Sequence, residues 1–385
     1  MHDHPLWAEV DLSAIVHNLN EVKRLAGPLA RIMAVVKADA YGHGAVPVAR
    51  AAVENGAQWL GVARAAEGIA LRKAGIRQPV LVFGYSPPGL APVLARYSIS
   101  QTVSSVAMAK AISEAATSAG AAVSVHLKVD TGMGRLGLVP DALRGKKSDS
   151  AGCSAVGEAM VIAGLDGLVM EGLYTHFAAS DSADKTSAKN QLERFCAFVS
   201  AAETAGIRPD VIHAANSAAV IDLMPEACFD LVRPGIMLYG LYPSGEMDRS
   251  RANLKPALQV KARIGQVKSV PPGFAVSYGS TWRAPASTRI ATVPVGYADG
   301  YSRTMSSRGE MVVRGRRAPV VGRVCMDQTM LDVGGIPDVA PGDEAVILGT
   351  RGQECISADE LASALGTINY EVVSTLMARV PRIYR

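Results

Sequence analysis

For its first 240 residues the chain repeats one unit: a short apolar, β-branched run, then an amphipathic stretch that ends on glycine. Runs near positions 32, 60, 81, 101, 125, 170, 212 and 236 read as strands. Helical patterns at 45–55, 65–73, 106–119 and 187–204 close on Gly56, Gly75, Gly120 and Gly206; shorter ones fall at 90–96 and 218–223. Regular strand–helix alternation with short loops excludes a simple antiparallel sheet, and eight such units are the number that closes a parallel (β/α)8 barrel of the TIM type. After Tyr242 the pattern changes: runs at 258–270, 289–295, 310–313, 318–324, 329–333 and 344–348 alternate with Pro/Gly turns, and 357–364 is one helix closed by Gly366. The expectation is α/β with an N-terminal barrel over 1–241 and a C-terminal mostly β domain over 242–385. The alternating run 7–12 precedes the barrel series and is surplus to it, so residues 1–12 are expected to pair with the β domain. A helix then runs to Leu25, with Asp11 or Ser13 as its N-cap.

Composition narrows the function classes. Of 385 residues 49% are hydrophobic and 19% charged, enough for a sizeable core and against wholesale disorder. A net charge of +4 with no long Lys/Arg block argues against a nucleic-acid arm; the RGKK cluster at 144–147 reads as a solvated loop, within a Ser/Gly/Lys-rich surface loop spanning 145–157. Five cysteines without a CxxC pair read as reduced thiols of a cytoplasmic protein. The N-terminus lacks a basic segment followed by an apolar core, no run is long enough to span a membrane, and the histidines lack metal-ligand spacing.

The stretch RIMAVVKADAYGHG (31–44) carries the first chemical signal. An apolar strand delivers Lys37 to its C-terminal end, the edge where α/β sites are built, and Gly42 and Gly44 bound a turn into the next helix. A lone lysine there is more often a solvated strand end. The very apolar strand favours the alternative, an amine whose pKa desolvation lowers. HAANS (213–217) follows a strand and opens a helix, so Ser217 and the neighbouring amides suit an anion, or form an ordinary cap. RPGI (233–236) sets Arg233 at the barrel mouth with Gly235 allowing close backbone approach. In HLKVDTGMGRLG (126–137), Arg135 is either a loop arginine or a fork for a carboxylate. AVSYGSTW (275–282) places Tyr278 in a Gly/Ser loop of the β domain, where a tyrosine is usually a packing residue.

VVKADAYGHG resembles the cofactor-lysine motif of the alanine racemases, the type III fold of pyridoxal-phosphate (PLP) enzymes, and the resemblance extends from Ala8 to Arg379. It implies that Lys37 holds PLP covalently. It also implies that Asn216, Ser217, Gly235 and Ile236 bind the phosphate with Tyr41 and Tyr370 (in TINYEV), and that Arg233, buttressed by His213, meets the pyridine nitrogen. His176 (in THFAASD) would lie against the ring or a tyrosine. An arginine keeps its protons, so it leaves the ring nitrogen unprotonated and the cofactor a weaker electron sink, which suits racemisation and suppresses transamination. Racemisation needs one group on each face of the α-carbon; the resemblance assigns Lys37 and Tyr278. It places Arg135 and Met326 (in GRVCMDQTMLD) at the substrate carboxylate, with Lys128, often carbamylated in the family, fixing Arg135, and Asp327 in support. Asp181, Tyr297, Arg303 and Arg323 match the entrance corridor. The family's β-domain groups serve a second subunit, so a homodimer with composite sites is implied.

The function expected is interconversion of L- and D-alanine, supplying D-alanine for peptidoglycan in the cytoplasm, with a small amino acid as substrate and neither nucleic acid nor membrane as partner. A broad-specificity amino-acid racemase on the same fold is the alternative. A type III decarboxylase would want a catalytic cysteine near the carboxylate, for which Cys325 is the sole candidate, and Arg233 counts against it. A PLP carrier without chemistry would not need Tyr278.

Overall fold

The computed structural model describes residues 3–144, 154–222 and 226–385. By their contacts they fall into two units: 15–40 with 45–255, and 1–14 with 41–44 and 256–385.

In the first unit eight parallel strands are ordered β8-β7-β6-β5-β4-β3-β2-β9. They are β2 (Arg31–Val35), β3 (Trp59–Val62), β4 (Val80–Val82), β5 (Ile99–Val103), β6 (Val123–Lys128), β7 (Leu168–Tyr174), β8 (Val211–His213) and β9 (Leu231–Val232). Met33, Trp59, Leu81, Val211 and Leu231 form one buried cluster, with Phe83 against it. The seam between β8 and β9 is closed by a lone bridge, Asn216 to Arg233, and by Arg233 N–H donating to the Ala215 carbonyl at 2.9 Å. HAANS and RPGI therefore meet where the barrel closes.

Two expectations for this unit are corrected. The eighth strand lies at Leu231–Val232, not near 236; Ile236–Tyr239 is a 3-10 turn. All four of its residues are fully buried, and periodicity does not separate a buried strand from a buried helical turn. Gly157 lies inside the helix Ala155–Ala163, capped by Ser154, whose hydroxyl accepts from Gly157 N–H at 3.1 Å. The rest of the expected surface loop, 145–153, lies outside the described residues, as does Leu223.

In the second unit β1 (Leu6–Val10) pairs antiparallel with β10 (Leu258–Arg263) and parallel with Arg382–Tyr384. Asp11 is the cap of the first helix, its carboxylate accepting from Ala14 N–H at 3.1 Å. The run read as one strand over 258–270 divides at Ile264–Gly265: β10 joins a seven-stranded sheet and Gln266–Val270 a three-stranded one. The strand read at 318–324 is Arg316–Pro319, and Asn369–Ser374 is a second helix that the sequence pattern did not reveal. Among the described residues no helix is long and apolar enough to cross a membrane, and Cys196, Cys325 and Cys355 are free.

Candidate active site

Lys37 follows β2 at the C-terminal edge of the barrel and is half-buried. The chain does not turn directly into a helix after it. Ala38, Asp39, Ala40 and Tyr41 all adopt the left-handed conformation, with φ of 52–53°. Non-glycine residues avoid this region at about 1–2 kcal/mol each, so the turn must be held by its surroundings. Glu67 accepts from Ala38 N–H at 2.7 Å with one oxygen, and from Ala63 and Arg64 N–H at 2.7 and 3.0 Å with the other. Asp39 accepts from Ala45 N–H at 2.8 Å. Burial lowers the Lys37 pKa; the charge of Arg135 lowers it further, and Glu67 opposes both. An amine so placed loses its proton more readily than a surface lysine.

Arg233 is buried, and its pKa falls to about 10, first through burial. One terminal nitrogen donates to His213 Nδ1 at 2.8 Å. The other donates to the carbonyls of Thr175 and Ala214, at 2.8 and 2.9 Å, and to His176 Nδ1 at 3.3 Å. Its Nε–H, and the second N–H of the nitrogen that meets His213, make no bond to any described residue, so donors are left over for a ligand. Burial drives His176 and His213 well below the usual imidazole range, and the positive charge of Arg233 adds to it. Ser217 Oγ accepts from Gly235 N–H at 2.8 Å, which leaves its own proton to donate. The helix cap is Asn216, not Ser217: its Oδ1 accepts from Ala219 N–H at 3.0 Å and from Ser180 Oγ at 2.9 Å.

Lys128 ends β6, is 4% exposed, and donates to the Val129 carbonyl at 2.8 Å. Burial, then the charge of Arg233, brings its pKa down from 10.5 to about 7. The following loop is built on Asp130, whose carboxylate accepts from the amides of Gly132, Met133, Gly134 and Arg135 at 2.8–3.0 Å. Those four bonds outweigh burial and hold Asp130 below the usual carboxylate range. Arg135 is exposed at the end of this loop.

In the other unit, Tyr278 lies in a loop where Ser277, Gly279 and Ser280 all have positive φ, and its side chain is 69% exposed. Gly279 lies against the Arg323 guanidinium, 3.1 Å from where a Cβ would stand. The loops of Tyr297 and Met326 are joined: Tyr297 N–H donates to the Cys325 carbonyl at 3.1 Å and Ala298 N–H to that of Met326 at 3.0 Å. Arg379 donates to Asp299 at 2.6 Å and to Asp327 at 2.5 Å, bracing both loops. Arg303 is exposed in the turn Arg303–Met305. Tyr41 and Tyr370 stand 6.2 Å apart between ring centroids, and burial raises the Tyr41 phenol pKa. Asp181 belongs to the barrel unit, where its carbonyl accepts from Ser244 Oγ at 2.7 Å.

Glu67, Asp130, Asp299 and Arg379 were not singled out from the sequence. Two left a local signature. Glu67 stands three residues after the helix-start Arg64, a capping spacing, and Asp130 precedes a Gly-x-Gly turn. Asp299 and Arg379 are 80 residues apart and left none.

A parallel barrel that offers a desolvated amine at its C-terminal edge, with a braced guanidinium in the same unit, has the layout of a barrel enzyme with a nucleophilic amine as its candidate reactive group. The family models for the alanine racemase N-terminal and C-terminal domains match residues 10–243 and 257–384. The chain belongs to the alanine racemase family. It is 53% identical to the alanine racemase of Desulfosudis oleivorans, over 100% of this chain and 97% of the relative. It is 45% identical to that of Methanococcus maripaludis, over 100% of both. The alanine racemase structure from Clostridium difficile superposes with a TM-score of 0.93 at 38% identity, covering 100% of this chain and 97% of that one. That from Bacillus anthracis, solved with bound L-Ala-P, gives 0.92 at 37%, covering 100% and 96%. Enzymes of this family depend on PLP.

Proposed function

We propose that this chain interconverts L- and D-alanine with pyridoxal phosphate held on Lys37. The observation that carries the reading is the burial-lowered amine of Lys37 in the same barrel unit as Arg233, whose Nε–H is left without a described partner. The donor set fits the cofactor: an amine for its aldehyde, a guanidinium for its ring nitrogen, and the free hydroxyl proton of Ser217 for an anionic group. Asn216, Gly235 and Ile236, with Tyr41 and Tyr370, complete the phosphate contacts. When bound, PLP supplies the electron-withdrawing system that acidifies the substrate's α-C–H.

The chain's own groups then divide the work. Arg233, with a pKa of about 10, stays charged at neutral pH and donates without giving up a proton. His176 and His213 stay neutral beside it and accept. Lys37 takes or returns the α-proton on one face and Tyr278 on the other. Arg135, fixed by the Asp130 loop, binds the substrate carboxylate, aided by Met326 and its neighbour Asp327. Asp181, Tyr297, Arg303 and Arg323 line the approach. Lys128, buried and with a pKa lowered to about 7, has a substantial neutral fraction at neutral pH and is suited to carbamylation; an unmodified Lys128 at saturating bicarbonate, by intact mass, would reject that part.

The exposure of Tyr278, Tyr297 and Met326, at 69, 42 and 53%, supports a homodimer in which these groups serve the other copy's Lys37. We place the domain division near residue 241, supported by the N-terminal family model ending at 243, although residues up to 255 still make their contacts with the barrel unit. A cytoplasmic location and a role in peptidoglycan supply belong to the same reading.

The test is borohydride reduction of the purified protein with peptide mapping, followed by solvent-deuterium exchange into alanine. Label on Lys37 and deuterium in D-alanine from L-alanine are expected. Label on Lys37 without exchange would assign another amino acid as substrate, and no label on Lys37 would refute the reading.

A further inference from the structure

The barrel interior carries a buried polar chain that the reaction as derived does not use in full. Arg233 donates to His213 Nδ1 at 2.8 Å. His213 Nε2 meets His126 Nδ1 at 2.9 Å, and His126 Nε2 meets a Glu171 oxygen at 3.3 Å. Ser100 Oγ donates to that same oxygen. The order of protons along this chain is forced from both ends. A guanidinium only donates, so His213 Nδ1 must accept and its proton sits on Nε2. That proton is donated to His126 Nδ1, so the proton of His126 sits on its Nε2 and is donated to Glu171. Burial tends to raise the Glu171 pKa, but the bonds from His126 and Ser100 outweigh it and hold the group ionised, an acceptor only. Burial keeps His126 and His213 below the usual imidazole range, so both rings are neutral, each with one donor and one acceptor. No other arrangement satisfies every contact.

The chain climbs the barrel. Glu171 is the fourth of seven residues in β7, His126 the fourth of six in β6, His213 the last of β8, and Arg233 follows β9. Its lower end opens on a cavity of about 280 Å³ lined by Arg72, Arg77, Ser98, Ser100, Ser124 and Glu171. Pro79, Ser98 and Ala122, also on its wall, precede β4, β5 and β6, which places the cavity at the N-terminal edge, opposite Lys37. The packing is specific to the chain. A Cβ on Gly172 would stand 2.2 Å from His126 Nδ1, so only glycine leaves room for the ring. Trp59 meets His126 edge-on at 5.2 Å, and Tyr174 stacks on His213 at 4.7 Å and 5°. Barrel interiors are usually filled by layers of branched apolar side chains, and a polar chain there is favourable only when every member is paired.

We propose that Glu171 is a positioning residue for Arg233, acting through His126 and His213 along a hydrogen-bond wire with a single proton order. Its carboxylate accepts the Nε2–H of His126 and so secures from below the order that Arg233 imposes from above, in which His213 presents a lone pair, never a proton, to the guanidinium. The guanidinium is thereby fixed in plane and its Nε–H kept for the cofactor. The catalytic consequence rests on the reading of Arg233 as the partner of the pyridine nitrogen; the wire itself does not.

The test uses the full-length holoenzyme labelled with 15N-histidine, the two rings being assigned by through-space contacts to Trp59 and Tyr174. Wild type is expected to show both rings neutral and protonated on Nε2 at neutral pH. In Glu171→Leu the Nε2–H of His126 loses its acceptor and only the Arg233 end holds the order, so an Nδ1-protonated fraction of His126 appears; kcat falls about tenfold, the low end for an outer partner of a functional group, with KM within about twofold. In Glu171→Gln the amide oxygen still accepts, so the tautomers persist and kcat stays within about threefold. A proton on Nδ1 of either ring in wild type overturns the proposal, and this holds even if the leucine variant does not fold. Unchanged tautomers or unchanged kcat in a folded Glu171→Leu overturn it too. The tautomer measurement is independent of the PLP reading, which stands or falls on label at Lys37.

Discussion

Replacing Lys128 with methionine should stabilise this protein, although it deletes a hydrogen bond. Lys128 is 4% exposed, and its pKa of about 7 compares with 10.5 in an unfolded chain. That gap corresponds to about 5 kcal/mol at about 1.4 kcal/mol per pH unit. The sign follows from which state holds the proton. Below pH 7 both states are protonated and the folded state bears the whole cost. Between pH 7 and 10.5 the unfolded state keeps a proton that the folded state has shed, so the cost shrinks as pH rises and vanishes above 10.5. At pH 7.5 about 4 kcal/mol remains. Methionine has a similar length and no charge, and its introduction forfeits the bond to the Val129 carbonyl, about 1 kcal/mol. The net gain is about 3 kcal/mol at pH 7.5, or about 6–12 °C in apparent Tm for a domain of this size. At pH 10 the remaining cost of about 1 kcal/mol is cancelled by the lost bond, so the gain should disappear. The assay is a thermal melt of both proteins, freed of cofactor and of dissolved carbon dioxide, from pH 6 to 10.5. Bicarbonate should narrow the difference by converting the wild-type amine to a carbamate and leave the variant unmoved. A destabilised variant, or a gain independent of pH, would refute the desolvation argument and with it the case for a neutral Lys128.

Three further outcomes are expected. Tyr278→Phe should fold normally, since the side chain is 69% exposed, and should lose about 10²–10⁴-fold in kcat for racemisation followed by circular dichroism; full retention would remove Tyr278 from the mechanism. Glu67→Ala strips three backbone amides of their acceptor beside the left-handed turn, so the apparent Tm should fall, by about 2–4 kcal/mol of stability, and Glu67→Gln should recover part of it; equal melts for Ala and wild type would show the turn to be held otherwise. Gly42→Ala puts a methyl group 2.1 Å from the Val373 carbonyl oxygen at φ +82°, which should cost about 2–5 kcal/mol and lower soluble yield, whereas Gly75→Ala, with open space around it, should cost only the positive-φ strain, about 1–2 kcal/mol.

Much of this protein was determined by its sequence alone. Glycine-terminated helical periods between short β-branched runs specify a parallel barrel because both signals are local: a turn of helix or a strand senses residues only a few positions away. The same locality placed Lys37 at a strand end and made Asp11 a helix cap. Tertiary structure decided what local pattern is blind to. Gly235 to Tyr239 is apolar throughout, so only packing made it a 3-10 turn and left the closing strand at Leu231–Val232. Nothing in KADAY favours four consecutive left-handed residues; Glu67, some thirty positions on, helps hold them there. Asn216 won the helix cap from Ser217 because Gly235, 18 residues away, claimed the serine hydroxyl. The proton order from Arg233 to Glu171 is the furthest from the sequence: it links β6, β7, β8 and β9 through contacts of 2.8–3.3 Å, and no residue in it carries a local signal of its neighbour. Periodicity reports which side of an element is buried, whereas the partner met there is set by closure of the barrel, which brings distant strands into register.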